Sequence, residues 1–178
     1  MRRTSASSSA PSPEQDCPWD SLETDGSGLQ VPDFLTTLVV NTGNALRRRI
    51  TLVYAKQFGL SIAEWRVLSV VAHARQMMFS QLVIAAATDK GSLSRMLRNL
   101  QGRGLLTIRS EGAGSQKTVT CAVSPAGAKI YRQVMPIARR RQAEMLLQLS
   151  LQERRSLYRA LRKLRELCGP EGEDAEDD

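Results

Sequence analysis

Histidine occurs once in this chain, at His73, and cysteine three times, at Cys17, Cys121 and Cys168. The cysteines are odd in number, far apart and form no C-x-x-C pair. That argues against a disulfide framework or a zinc site and fits a reducing cytoplasm. Cys121, in a β-prone run, is expected to be a small core residue. No nucleophile–base motif, metal-ligand cluster or glycine-rich phosphate loop is present. An enzyme is therefore not expected, nor any catalytic residue, metal site or cofactor. No segment approaches the ~18 apolar residues of a membrane span, and no lipidation signal appears. The first thirty residues lack the apolar stretch of a secretory signal. A cytoplasmic protein is expected.

Acidic residues are scarce in the middle of the chain. Eleven of the 18 lie in residues 1–29 and 169–178, leaving seven for residues 30–168, which hold 23 of the 25 bases and a net charge of +16. A folded region this basic repels itself, and a polyanionic partner is the usual reason to tolerate that. The ends differ in composition. Residues 1–30, rich in Ser and Pro, have no sustained apolar periodicity and read as a disordered tail. Residues 169–178, "GPEGEDAEDD", read as an acidic disordered tail that favours solubility.

Between the tails the pattern is mainly α-helical. Residues 31–58 carry a helical apolar period, with Pro32 and Asp33 in the first turn and Gly59 after the end. Such a helix, about 39 Å long at ~1.5 Å per residue, is too long for a small domain to bury alone. Ser61-Ile-Ala-Glu64 is a capping box that opens a second helix with Trp65, Leu68, Val71 and Ala72 inward. A third, short helix covers Ser80–Ala87, and Thr88 is the expected N-cap of a fourth. There, Leu93, Met96, Leu97 and Leu100 form one apolar stripe, and Gly91, Ser94, Arg95 and Arg98 share the opposite face. Arginines among small residues suit a helix entering a ~12 Å major groove; a solvated basic face is the alternative.

Gly104 is placed as a helix-ending glycine, and 105–109 and 118–123 are β-prone runs joined by the turn-rich "SEGAGSQK". Ser124-Pro125 opens a fifth helix that Pro136 should kink. Ser150-Leu-Gln-Glu153 caps a last helix, with Leu157, Leu161 and Leu164 on one face. The fold class is thus mainly α with a small β-hairpin wing: a winged helix-turn-helix domain, residues 59–124, plus a helical dimerisation region, residues 31–58 and 125–168.

"GLSIAEWRVLSVV", "TDKGSLSRMLRNLQGRGLL", "VSPAGAKIYRQVMP" and "SLQERRSLYRALRKLREL" resemble, in order and spacing, the MarR family of winged-helix transcriptional regulators. The resemblance implies a cytoplasmic bacterial or archaeal homodimer that binds a pseudo-palindromic duplex operator. Commonly such a protein is a repressor released by a small aromatic carboxylate or phenol, or by oxidation. It places Lys90, Ser92, Ser94, Arg95 and Arg98 of the recognition helix at the DNA, with Gln116 and Lys117 at the wing tip. The wing departs from the family: Ser115-Gln116-Lys117 stands where Asp-x-Arg is usual, so the planar Arg fork and its buttress are missing. Ile84 and Ala85 replace charged residues in the third helix, Ile84 being expected to pack on another segment, and Ala87 replaces a turn glycine. An effector pocket would draw on Trp65, Arg66 and His73, each of which has a structural reading as core, ion-pair partner or helix-end residue. A sequence-tolerant architectural DNA binder and a cysteine-based redox-sensing repressor are the alternatives.

Overall fold

The computed structural model describes residues 17–112 and 118–169. Residues 17–45 form one unit. In it the Trp19 indole donates to the Asp33 carbonyl at 2.9 Å, against a single 3-10 turn at Val31–Asp33 that starts around Pro32. Phe34 is extended, with ψ 134°, so the α-helix begins only afterwards, as α1 (Leu35–Leu46). The single helix expected over 31–58 is thus a 3-10 turn, α1, a π turn at Arg47–Thr51, and α2 (Leu52–Gln57). A π turn shifts the helix phase by one residue; Ile50 lies buried in it.

The winged unit follows. α3 (Ile62–Ala74) opens with the expected capping box: Ser61 Oγ accepts from the Glu64 amide, and Glu64 Oε2 from the Ser61 amide. Trp65, Val67, Leu68 and Val71 are buried. Next come β1 (Gln76–Met78), α4 (Phe79–Ala86), α5 (Lys90–Gly102), β2 (Leu106–Glu111) and β3 (Thr118–Val123). The hairpin is part of a three-stranded antiparallel sheet in the order β1-β3-β2. The sequence did not reveal β1: three residues reached through Arg75 at φ 69° become a strand only because β3 lies beside them, with Met77 opposite Cys121. In β2 and β3 the pairs Leu106↔Val123 and Ile108↔Cys121 turn inward. Cys121 is buried, as expected, and burial pushes its thiol pKa up.

The α4–α5 junction departs from expectation by one residue. Ala87 adopts the left-handed conformation, φ 45° and ψ 62°, and the Thr88 amide returns to the Val83 carbonyl. Thr88 is thereby used to finish α4, so Asp89, not Thr88, caps α5: its carboxylate accepts from the Ser92 amide at 2.7 Å. α4 thus ends one residue earlier than expected, and it also starts one residue earlier, after Met78, whose amide donates to Gln81 Oε1 at 3.3 Å. An alanine in this conformation costs ~1–2 kcal/mol, which a glycine would relieve at ~0.5–1 kcal/mol of extra chain entropy. Ala87→Gly should therefore raise stability by about 0.5–1 kcal/mol and lift the thermal midpoint by a few degrees. An unchanged or lowered midpoint would show that the turn is not strained. Ile84 does not pack as expected: it is 47% exposed on the outer side of α4.

α6 (Pro125–Leu146) begins at the expected Ser124 cap and continues through Pro136, while α7 (Leu151–Leu167) opens on the expected Ser150–Glu153 box. Leu68, Leu82, Leu93, Leu97, Leu100, Leu106 and Val134 fill the core. No residue of α7 is buried; Leu157 and Leu161 stay 43% and 50% exposed.

Candidate nucleic-acid interface

α5 is held by its inner face. Leu93, Leu97 and Leu100 are buried and Met96 is half-buried against the core. Lys90, Arg95 and Arg98 are consequently exposed, with Ser92 and Ser94 half-exposed beside them. Arg95 Nη2 donates to Ser92 Oγ at 3.3 Å, and Arg98 Nε donates to the Ser94 carbonyl at 3.4 Å. Both arginines thus lie along the helix, and neither forms an ion pair with a carboxylate among the described residues. The Ser92 amide and hydroxyl hold the Asp89 carboxyl below its ordinary range, with a smaller contribution from Arg95. Above that range the ionised cap fixes the first turn of α5.

Gln116 and Lys117 lie outside the described residues, so the wing tip has no geometry to report. The strands leading to it do: Arg109 of β2, opposite Thr120, is exposed, a wing cation that the sequence did not single out.

The three residues considered for an effector do not gather in one place. Trp65 is buried, edge-on to Tyr54 of α2 at 5.8 Å between ring centroids and stacked with Tyr131 of α6 at 6.2 Å. Arg66 reaches away to α4, its Nη1 donating to the Ala86 carbonyl at 3.1 Å. Burial, then the neighbouring Arg47, lowers its pKa. His73 is exposed near the end of α3. The apolar period of α3 revealed Trp65; its aromatic partners come from two other helices and left no local signal. Among the described residues no group of three His, Cys, Asp or Glu side chains gathers as metal ligands. No helix among them is long and apolar enough to cross a membrane.

A helix-turn-helix, α4–α5, followed by a hairpin and flanked by long helices is also the arrangement of solved regulators. A MarR-family transcriptional regulator from Silicibacter pomeroyi superposes with a TM-score of 0.67 at 20% identity, over 79% of this chain and 99% of that one. The fold is that of the MarR regulators. A mutant of MarR from E. coli complexed with operator DNA matches with a TM-score of 0.65 at 19% identity, over 76% of this chain and 99% of its own. NadR in complex with 4-hydroxyphenylacetate matches at 0.63 and 18% identity, over 76% of this chain and 95% of its own. No protein-family model and no curated protein matches the sequence. In this chain α5 is the second helix of that helix-turn-helix, and β2–β3 is the hairpin that follows it.

Proposed function

We propose that this chain is a sequence-specific, double-stranded-DNA-binding transcriptional repressor, working in the cytoplasm as a homodimer and released by a small aromatic carboxylate or phenol. The observation that carries the reading is the outer face of α5. It holds Lys90, Arg95 and Arg98 exposed among small residues, on a helix anchored by three buried leucines. Arg95 and Arg98 are assigned to base edges or phosphates, Ser92 and Ser94 to phosphates, and Gln116 and Lys117 to the adjacent groove or backbone. The homodimer is supported by the exposed leucines of α7 and, separately, by exposed Leu35, Leu38 and Val39 of α1. The ligand class is supported by the 4-hydroxyphenylacetate complex of NadR, a protein of the same fold.

Selection from a random duplex library, followed by footprinting, tests this reading. A palindromic site held ~10³-fold or more above bulk DNA is expected. Equal affinity for all duplexes would favour the architectural binder instead. Adding 4-hydroxyphenylacetate or salicylate to the selected complex should weaken it; a flat response across aromatic acids would remove the proposed ligand class. Release by oxidation is the weaker reading. The thiolate is the reactive form, and burial disfavours it at Cys121, while Cys17 and Cys168 are exposed outside the winged segment.

A further inference from the structure

The Glu64 carboxylate does more than cap its own helix. Its Oε2 accepts from the Ser61 amide at 2.8 Å, which completes the capping box. The other oxygen, Oε1, accepts from Asn99 Nδ2 at 2.5 Å and from Arg103 Nη1 at 3.4 Å, both at the end of α5. α7 supplies an internal comparison. Glu153 makes the same box with Ser150, stays exposed and, among the described residues, bonds to no other element. Capping alone therefore does not require burial of the glutamate or a partner from afar. Glu64, by contrast, is only 8% exposed, and a carboxylate is left there only where its lone pairs are used.

The carboxylate also projects from a fixed point. Its neighbour Trp65 is held between Tyr54 and Tyr131, and Arg103 Nη2 lies over Gly59, in the turn that leads into α3. At the other end, Asn99 adjoins Arg98 and lies one turn beyond Arg95.

We infer that Glu64 is a positioning residue for DNA reading, holding the last turn of α5 through Asn99 and Arg103 so that Arg95 and Arg98 meet the groove in one register. This rests on the repressor reading above. The leucine stripe buries α5 through contacts that have no preferred direction; the bonds to a clamped carboxylate supply one. A deletion should accordingly damage discrimination more than general affinity.

The test measures, for each full-length variant, dissociation constants on the selected duplex and on an unrelated duplex of equal length, with thermal midpoints alongside. Asn99→Ala and Arg103→Ala should each lower the selected-to-unrelated ratio about tenfold, equivalent to ~1.4 kcal/mol. The salt slope should not change, because no phosphate contact is lost. Arg103→Lys, which keeps the charge, should recover part of the ratio. Glu64→Gln should lower it too and add little on top of Arg103→Ala, as expected of partners in one interaction. Two results would overturn the inference while the wild type still discriminates. One is a lowered thermal midpoint with the ratio kept within about twofold in both alanine variants, which makes the cluster structural only. The other is a salt slope reduced by about one in Arg103→Ala, which makes Arg103 a direct phosphate contact. A wild-type ratio near one would overturn the repressor reading and the inference together.

Discussion

Gly127→Ala is expected to destabilise the protein by about 3 kcal/mol, the upper range for forcing a methyl group into a packed site. Gly127 stands in the first turn of α6, where a Cβ would fall 2.1 Å from the Leu105 carbonyl oxygen, 3.0 Å from its carbon and 3.2 Å from Val123 Cγ2. The closest obstacle is backbone, so no side-chain rotation relieves it. Nor can the two segments part cheaply. The Ser124 amide donates to that same Leu105 carbonyl at 3.2 Å, Ser124 Oγ donates to the Gly104 carbonyl at 2.6 Å, and the Gly127 amide donates to Ser124 Oγ. Inserting the methyl group must stretch this knot, which ties the end of α5 and the start of the wing to α6. Thermal unfolding should show a midpoint lowered by roughly 6–12 °C. A midpoint equal to wild type would mean that the start of α6 can pivot away freely. Then the close approach would not be a constraint on the fold.

Replacing both Arg95 and Arg98 by alanine should produce the largest functional loss. Each is exposed, aligned on the surface of α5 by contacts to Ser92 and Ser94, and without an ion-pair partner among the described residues. A base contact is worth ~1–3 kcal/mol, so the pair should cost about 2–6 kcal/mol, or roughly 30- to 20,000-fold in affinity for the selected duplex. Stability should stay within about 0.5 kcal/mol, because neither side chain packs in the core. The single variants divide the roles. A base reader lowers the selected-to-unrelated ratio at one position of the site; a phosphate contact weakens every sequence alike and lowers the salt slope by about one. Full affinity in the double variant would mean that α5 is not the reader.

Much of this was legible from residues a few positions apart. The boxes Ser61–Glu64 and Ser150–Glu153, the Ser124-Pro125 start and the left-handed Gly104 all stand where the sequence places them. Each is decided by a bond spanning three or four residues, so the composition of a short window suffices. The apolar stripe of α5 was legible for the same reason, and with it the exposed face bearing Lys90, Arg95 and Arg98. Where two local signals compete, the reading slipped. Thr88 and Asp89 can both cap a helix, and the choice fell to Asp89 because the Thr88 amide closes the end of α4.

Other features depend on residues far apart in the chain. β1 exists through its pairing with β3, more than forty residues away. Ile50 is an apolar position of the helical period over 31–58 and is buried, but that period does not announce the π turn at Arg47–Thr51 in which it lies. The role of Glu64 was half legible: its capping box is local, whereas Asn99 and Arg103 come from 35 and 39 positions further on. Gly127 reads as an ordinary glycine until the Leu105 backbone is placed against it. By itself, then, the sequence determined where α3, α6 and α7 start and which face of α5 carries the cations, because backbone hydrogen bonding and apolar periodicity act over a few residues. Only the tertiary structure decided how α5 is held, which glycine cannot change and where the third strand lies, because those rest on atoms that folding alone brings within bonding distance.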